Sequence, residues 1–216
     1  MFSTMPRIGC DESGKGDYFG GIVVAGVYLN EDLEAKISKF GIKDSKKLSD
    51  KRIFTIADSL KKAVPYSIVR IYPEKYNELY NKMQNLNKIL AWAHCTVIKN
   101  LYIKNNCELA IIDKFTVKEH ITNNLTKLEK PIEVFEFTNA ESDMAVASAS
   151  IIARQAFIQM IKKLNTEFKL ELPLGSSHIK EKARDIVKKH GFEILRKIAK
   201  FHFKTTKEFH NLSLDL

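Results

Sequence analysis

Apolar residues recur along the chain with two alternating periods. Short runs rich in β-branched and apolar residues, at Arg7 to Cys10, Ile22 to Leu29, Tyr66 to Tyr72, Leu109 to Ile112 and Ile132 to Phe137, have the length and composition of strands. Between them lie longer amphipathic stretches. From Leu86 to Ile103 the positions Leu86, Ile89, Leu90, Ala93, Val97 and Leu101 repeat at helical spacing, and Ser49 reads as the N-cap of a helix reaching about Ala63. A third helix is expected from about Ala140 to Leu164. Its first half, Met144-Ala-Val-Ala-Ser-Ala-Ser-Ile-Ile-Ala153, is almost wholly small or apolar, a face that allows close approach to a sheet and belongs in the core. Val117 to Leu128 and Ile179 to Lys200 predict further helices, polar enough to lie outside. Strand-length runs alternating with helix-length ones predict an α/β sheet. No repeat, low-complexity tract or Pro/Gly/Ser linker divides the chain, so one domain over residues 1–216 is expected.

Composition leaves that picture standing. A chain of 216 residues, 44% hydrophobic and 28% charged, is globular in character and long enough to bury a core without staples. Cys10, Cys95 and Cys107 lack metal-ligand spacing and are odd in number, which excludes a disulfide scaffold and predicts reduced thiols in a cytoplasmic protein. Asp11 and Glu12 arrive too early for a signal peptide, and no uninterrupted apolar run approaches the roughly 20 residues of a membrane span. A soluble protein with no membrane partner is the expectation.

Charge changes the picture more. The net charge is +9, and from Lys180 to Lys207 ten basic residues stand against three acidic ones, interleaved with His190, Phe192, Phe201, His202 and Phe203. A basic segment carrying aromatics suits a phosphate backbone. A solvated helical face has the same charge pattern.

Three places could carry chemistry. In Asp11-Glu12-Ser13-Gly14-Lys15-Gly16-Asp17-Tyr18-Phe19-Gly20-Gly21 two adjacent carboxylates close an apolar strand and open a glycine-rich turn, where backbone can approach a ligand. The glycines fit neither a Walker loop nor Gly-x-Gly-x-x-Gly, since Gly20 comes one residue late. Asp113 follows the apolar run Leu109-Ala-Ile-Ile112, at a strand end of the kind that frames ligand crevices, although it could equally cap a turn. Glu141 lies three residues after Thr138, the spacing of a capping box for the long helix, with Asp143 placed to complement the helix dipole. Carboxylates from separate elements of a basic protein would, if they converge, hold hard divalent cations for in-line phosphoryl displacement. The six histidines, His94 included, form no His-x-x-x-His pair, no Gly-x-Ser-x-Gly elbow occurs, and Trp92 reads as core.

Taken in order, Gly9-Cys-Asp-Glu-Ser-Gly-Lys-Gly-Asp-Tyr-Phe-Gly20, Gly41-Ile-Lys-Asp-Ser-Lys-Lys-Leu48, Ile112-Asp-Lys-Phe115 and Ala140-Glu-Ser-Asp-Met-Ala-Val-Ala-Ser-Ala-Ser-Ile-Ile-Ala-Arg154 resemble the motifs of type 2 ribonucleases H over about residues 7 to 207. Gly-Asp-Tyr-Phe-Gly after the acidic pair, and Glu141 where the ribonuclease HII branch carries aspartate, make the chain more similar to bacterial ribonuclease HIII. The resemblance implies a ribonuclease H-like fold, a five-stranded mixed sheet flanked by helices, here followed by a helical basic C-terminal segment. It implies endonucleolytic cleavage of the RNA strand of RNA/DNA hybrids, leaving 5′-phosphate and 3′-hydroxyl ends. Two Mg²⁺ or Mn²⁺ ions would be held by Asp11, Glu12, Asp113 and Glu141, one serving the attacking water and the other the departing oxygen. Gly14, Lys15 and Gly16 would read the ribose 2′-OH, the group that separates RNA from DNA. Lys46, His202, Phe203 and Thr205 would face the substrate. A ribonuclease HII-like incision at single ribonucleotides in duplex DNA, and a non-catalytic hybrid-binding module, are the alternatives. A monomer is expected. Two departures from the family stand out. The usual N-terminal TATA-binding-protein-like domain is not seen ahead of the acidic pair, so the branch lacks it or the chain is trimmed. Gly21 occupies a place where the family tends to have proline, which should loosen the loop.

Overall fold

The structure, a computed structural model, describes residues 5–42, 48–105, 107–113, 121, 125, 131–176 and 179–212. Among them, five strands, β1 (Arg7–Ser13), β2 (Ile22–Leu29), β3 (Tyr66–Ile71), β4 (Leu109–Asp113) and β5 (Glu133–Phe137), form one sheet in the order β3-β2-β1-β4-β5. β1 pairs antiparallel with β2 and parallel with β4, and β4 pairs parallel with β5, so the sheet is mixed as expected. Every strand anticipated from the sequence is present. β1 and β4 are buried along their apolar residues and emerge only at their C-terminal ends, the pattern of central strands covered on both faces.

The described helices are α1 (Glu31–Ile37), α2 (Asp50–Ala63), α3 (Pro73–Met83), α4 (Leu86–Asn105), α5 (Met144–Phe168), α6 (Lys180–His190), α7 (Ile194–Ile198) and α8 (Lys204–Leu212). Ser49 caps α2 as read, its side chain accepting from the Arg52 N–H. The single helix expected from Ile179 to Lys200 is instead broken into α6 and α7. Gly191, with φ +79°, ends the first piece. The helix expected at Val117 to Leu128 lies mostly outside the described residues.

α5 starts later than the sequence suggested, because 140–142 is a separate 3₁₀ turn. The N-cap of α5 is Asp143, whose Oδ1 accepts from the N–H groups of Ala145 (2.8 Å) and Val146 (3.3 Å). Its Oδ2 accepts from Arg7 Nε at 2.6 Å, and Arg7, 1% exposed, also donates to Glu34. The capping box through Thr138 and Glu141 is therefore replaced by Asp143. The small face of α5 does what its composition promised: a Cβ on Gly9 of β1 would stand 2.3 Å from the backbone of Ala145 and Val146. By length and apolarity α5 could cross a membrane, yet most of it is buried within the protein.

On α4 the buried positions Leu90, His94, Val97 and Leu101 follow one face. Trp92 falls on the opposite stripe with Ile103 and is 41% exposed, so it is not core. The three cysteines are buried free thiols, and burial raises the pKa of each.

The chain divides into two compact units. The first takes the described residues of 1–13, 23–69 and 85–156. The second takes those of 14–22, 70–84 and 157–216.

Candidate active site

In the first unit, the parallel register pairs Gly9 with Ile111 and Cys10 with Ile112, so Asp11 and Glu12, in the last residues of β1, follow directly beside Asp113 at the end of β4. Asp113 pairs in turn with Phe137 on β5, and the 3₁₀ turn that carries Glu141 follows within a few residues. The Ala140 N–H donates to Asp113 Oδ1 at 3.4 Å, which ties the Glu141 turn to the end of β4. Three neighbouring strands thus bring the four expected acids to nearby element ends.

The electrostatics of the first pair are unfavourable on their own. Burial, with the adjacent Glu12 carboxylate adding to it, pushes Asp11 up to about 6, while hydrogen bonds from Ser150 and the Glu12 N–H oppose the shift. Glu12 Oε2 lies 3.2 Å from Nε2 of His94, which is 0% exposed. Sequence reading passed over both partners. His94 is a polar residue within the buried stripe of α4, and Ser150 a hydroxyl in the apolar half of α5. A cleft of about 230 Å³ borders Glu12 and Ser13 and is lined on the α5 side by Ser150, Ile151 and Arg154.

A desolvated carboxylate with a second acid beside it gains from a cation, and an all-oxygen donor set suits a hard divalent ion. Among the described residues no three His, Cys, Asp or Glu side chains are already gathered in ligating position. The backbone thus places the acids at adjacent strand ends without drawing their side chains around one point.

In the second unit, the segment after Ser13 turns sharply. Gly14 has φ +92°, and a Cβ there would meet Phe157 Cε2 at 2.5 Å and the Gly21 carbonyl oxygen at 2.7 Å. Gly16 differs: it is exposed, and a Cβ would find nothing within 4 Å. Its missing side chain serves nothing inside the protein. Lys15 is half-buried between them. Gly21 is buried, and a Cβ there would lie 1.8 Å from the Ile71 carbonyl oxygen, so the backbone as it stands has no room for a side chain at this position.

Lys46 lies outside the described residues. His202, Phe203 and Thr205 are half-buried in the second unit. His202 Nδ1 is 3.1 Å from the Tyr76 hydroxyl, and its ring stacks on Tyr80 at 4.7 Å. Burial, with Lys200 nearby, pushes it down to about 4, so it is a neutral ring at pH 7. Lys200, counted with the basic segment, is fully buried and cannot meet a phosphate, whereas Lys197, Lys204 and Lys207 are exposed.

The Ribonuclease HII family matches residues 8–206. A ribonuclease HIII of Protochlamydia amoebophila (strain UWE25) is 44% identical over 201 residues, covering 93% of this chain and 67% of that protein. Another, of Chlamydia pneumoniae, is 44% identical over 207 residues and covers 94% and 70% respectively. Among solved structures, Bst-RNase HIII in complex with Mn²⁺ superposes with a TM-score of 0.89 at 33% identity, over 99% of this chain and 71% of that one. The RNase HII of the complex with PCNA from Archaeoglobus fulgidus gives 0.73 at 28% identity, over 86% and 88%. The chain belongs to the type 2 ribonuclease H family and, within it, stands with the ribonuclease HIII proteins.

Proposed function

We propose that the chain, working as one catalytic domain, hydrolyses the RNA strand of RNA/DNA hybrids with the help of divalent cations held by Asp11, Glu12, Asp113 and Glu141. The observation that carries this reading is the β1–β4 register, which ends two neighbouring buried strands in acids. Bound Mg²⁺ or Mn²⁺, two ions at a full site, would supply Lewis-acid stabilisation to the attacking and leaving oxygens of an in-line displacement. The protein's own contributions are separate from that. Asp11 and Asp113 are fixed by strand pairing, and His94 and Ser150 orient Glu12 and Asp11. Next in the chain, Gly14, Lys15 and Gly16 offer backbone to the ribose, and Gly16 leaves the space such an approach needs. Lys197, Lys204 and Lys207, with His202, Phe203 and Thr205, would meet the backbone of the hybrid through charge, stacking and neutral hydrogen bonds.

The test is a nicking assay on a uniform RNA/DNA hybrid, a DNA duplex bearing one ribonucleotide, and all-DNA and all-RNA duplexes. Cuts confined to RNA of the hybrid, leaving 5′-phosphate and 3′-hydroxyl ends and abolished by EDTA, are expected. Preferred incision at the single ribonucleotide would assign ribonuclease HII-like activity instead, and binding without any cut would leave a hybrid-binding module.

A further inference from the structure

The second unit buries one lysine completely. Lys200 is 0% exposed, and its ammonium donates to two consecutive carbonyls, Gly20 at 3.0 Å and Gly21 at 3.1 Å. Taking an ammonium out of water is costly unless its donors are used, and an apolar side chain would fill the same space without that cost. What lysine adds over methionine here is the grip on two carbonyls, together with a nitrogen placed 5.9 Å and 5.8 Å from the ring centroids of Tyr76 and Phe203, contacts that need charge but no N–H.

Those carbonyls belong to the glycine-rich segment. Gly20 has φ +79°, and the turn it makes brings the Gly21 oxygen back to 2.7 Å from where a Gly14 Cβ would stand. The oxygen that Lys200 holds is thus the one packed against the α-carbon of Gly14. Main-chain bonds tie the same stretches together: Lys200 N–H donates to the Tyr18 carbonyl at 3.0 Å, Gly20 N–H to that of Ile198 at 2.8 Å, and Phe19 forms an antiparallel bridge with Ala199. Asp17 Oδ1 accepts from the Gly175 N–H at 2.6 Å, and the Tyr18 hydroxyl lies 3.2 Å from that of Thr206. Residues 17–21 are fastened along their length, and Lys200 is the only side chain among the described bonds that grips two of their carbonyls at once.

We infer that Lys200 is a positioning residue, whose buried Nζ–H groups fix the Gly20–Gly21 carbonyls and through them the backbone of Gly14, Lys15 and Gly16 presented to the ribose. It rests on the function proposed for that loop. Lys200 touches no substrate, so its removal should loosen recognition and leave chemistry at saturation nearly intact.

Lys200→Met keeps the length of the side chain and removes every donor. Three readings are taken on wild type and variant: melting temperature, single-turnover cleavage of a fixed trace of hybrid titrated with enzyme, and hydrogen exchange of the amides of residues 14–21. The expected result is a folded variant whose half-saturating enzyme concentration for hybrid rises at least tenfold, whose saturating rate stays within threefold, and whose loop amides exchange faster while α5 and α6 keep their protection. In Lys200→Ala, propylamine should restore affinity at least fivefold, and tetramethylammonium, a cation without N–H, should restore none. Lys200→Met with parental affinity and loop exchange overturns the inference, as does equal rescue by both cations. If neither substitution folds, Lys200 holds the whole unit rather than the loop, which also overturns it. Should the wild type fail to cut hybrid, the function proposed above falls on that result alone, while the exchange comparison still decides whether Lys200 fixes the loop.

Discussion

Single residues separate packing from function most sharply in the glycines that follow the acidic pair. Gly14 is required by the fold: its positive φ, and the 2.5 Å and 2.7 Å approaches a Cβ would make, put Gly14→Ala at a cost of about 2–4 kcal/mol. That corresponds to a fall in melting temperature of roughly 5–15 °C for a chain of this size. Gly16 has open space and an ordinary φ, so Gly16→Ala should melt with wild type. If hybrid backbone approaches Gly16, the same methyl should raise the half-saturating enzyme concentration several-fold. Thermal melts and titrations on the two variants check both halves, and an active, tight-binding Gly16→Ala would remove Gly16 from the interface.

Lys200 also gives a pH signature. Burial pushes it down to about 7, from an ordinary value of 10.5, with Asp17 opposing the shift. Between those values the unfolded chain binds more protons than the folded one, so this group's contribution makes stability rise with pH above about 7. His202, held at about 4 by burial, adds a slope of the same sign only near pH 7, where its unfolded form still keeps part of a proton, and burial holds Tyr18, Tyr76 and Cys10 above their ordinary values, which costs stability once their unfolded forms ionise. The useful window is therefore about pH 7 to 8.5. Urea midpoints across it should rise more steeply for wild type than for Lys200→Met, and parallel slopes would mean that Lys200 does not titrate there.

At the scale of elements, the start of α5 decides what Glu141 is for. Because Asp143 supplies the cap and holds the buried Arg7, Asp143→Ala removes both and leaves Arg7 with Glu34. Breaking a buried pair from one side costs about 3–5 kcal/mol, so a fall of roughly 10 °C is expected in the melting temperature. Glu141→Gln lies outside the cap and should melt normally, with cleavage strongly reduced if the carboxylate meets a cation. A drop in stability for Glu141→Gln with parental cleavage would return it to a structural role. The strands were legible in the sequence because β1, β2 and β4 hold short apolar runs and β3 and β5 are rich in β-branched and aromatic residues, and β1 and β4 carry their acids immediately after the last apolar residue of the run. Less legible was where α5 begins. Thr138 and Glu141 have capping-box spacing, yet the register of β5 runs the chain into a 3₁₀ turn there, a tertiary effect that local spacing does not encode. The broken α6–α7 segment was signalled by Gly191, and its charge pattern alone hid the break.

For the whole molecule, the basic C-terminal segment must be divided by exposure. Its charge was plain in the sequence, but the burial of Lys200 was not, since a lysine in a basic run carries no mark of its surroundings. His94 was missed for the converse reason: its stripe on α4 reads as core, and only folding brings Glu12 to it. Neutralising the exposed Lys197, Lys204 and Lys207 together should weaken hybrid binding whatever its sequence. The dependence of log K on log salt should flatten by about 0.9 for each phosphate that the protein no longer neutralises. Binding measured by anisotropy from about 50 to 200 mM salt gives the slope, and an unchanged slope would make these lysines a solvated face.

The central claim is that acids at the ends of β1 and β4 serve phosphodiester hydrolysis, and Asp113 tests it most directly. Asp113→Asn keeps the shape and the oxygen that accepts the Ala140 N–H, so folding and hybrid affinity should be retained. It removes one negative charge where a divalent cation would be held. Single-turnover cleavage of a uniform RNA/DNA hybrid at saturating Mg²⁺, measured beside binding by the same protein, should fall by roughly a hundredfold or more with affinity within a few-fold of wild type. A folded, hybrid-binding Asp113→Asn that cuts at the wild-type rate would contradict the claim.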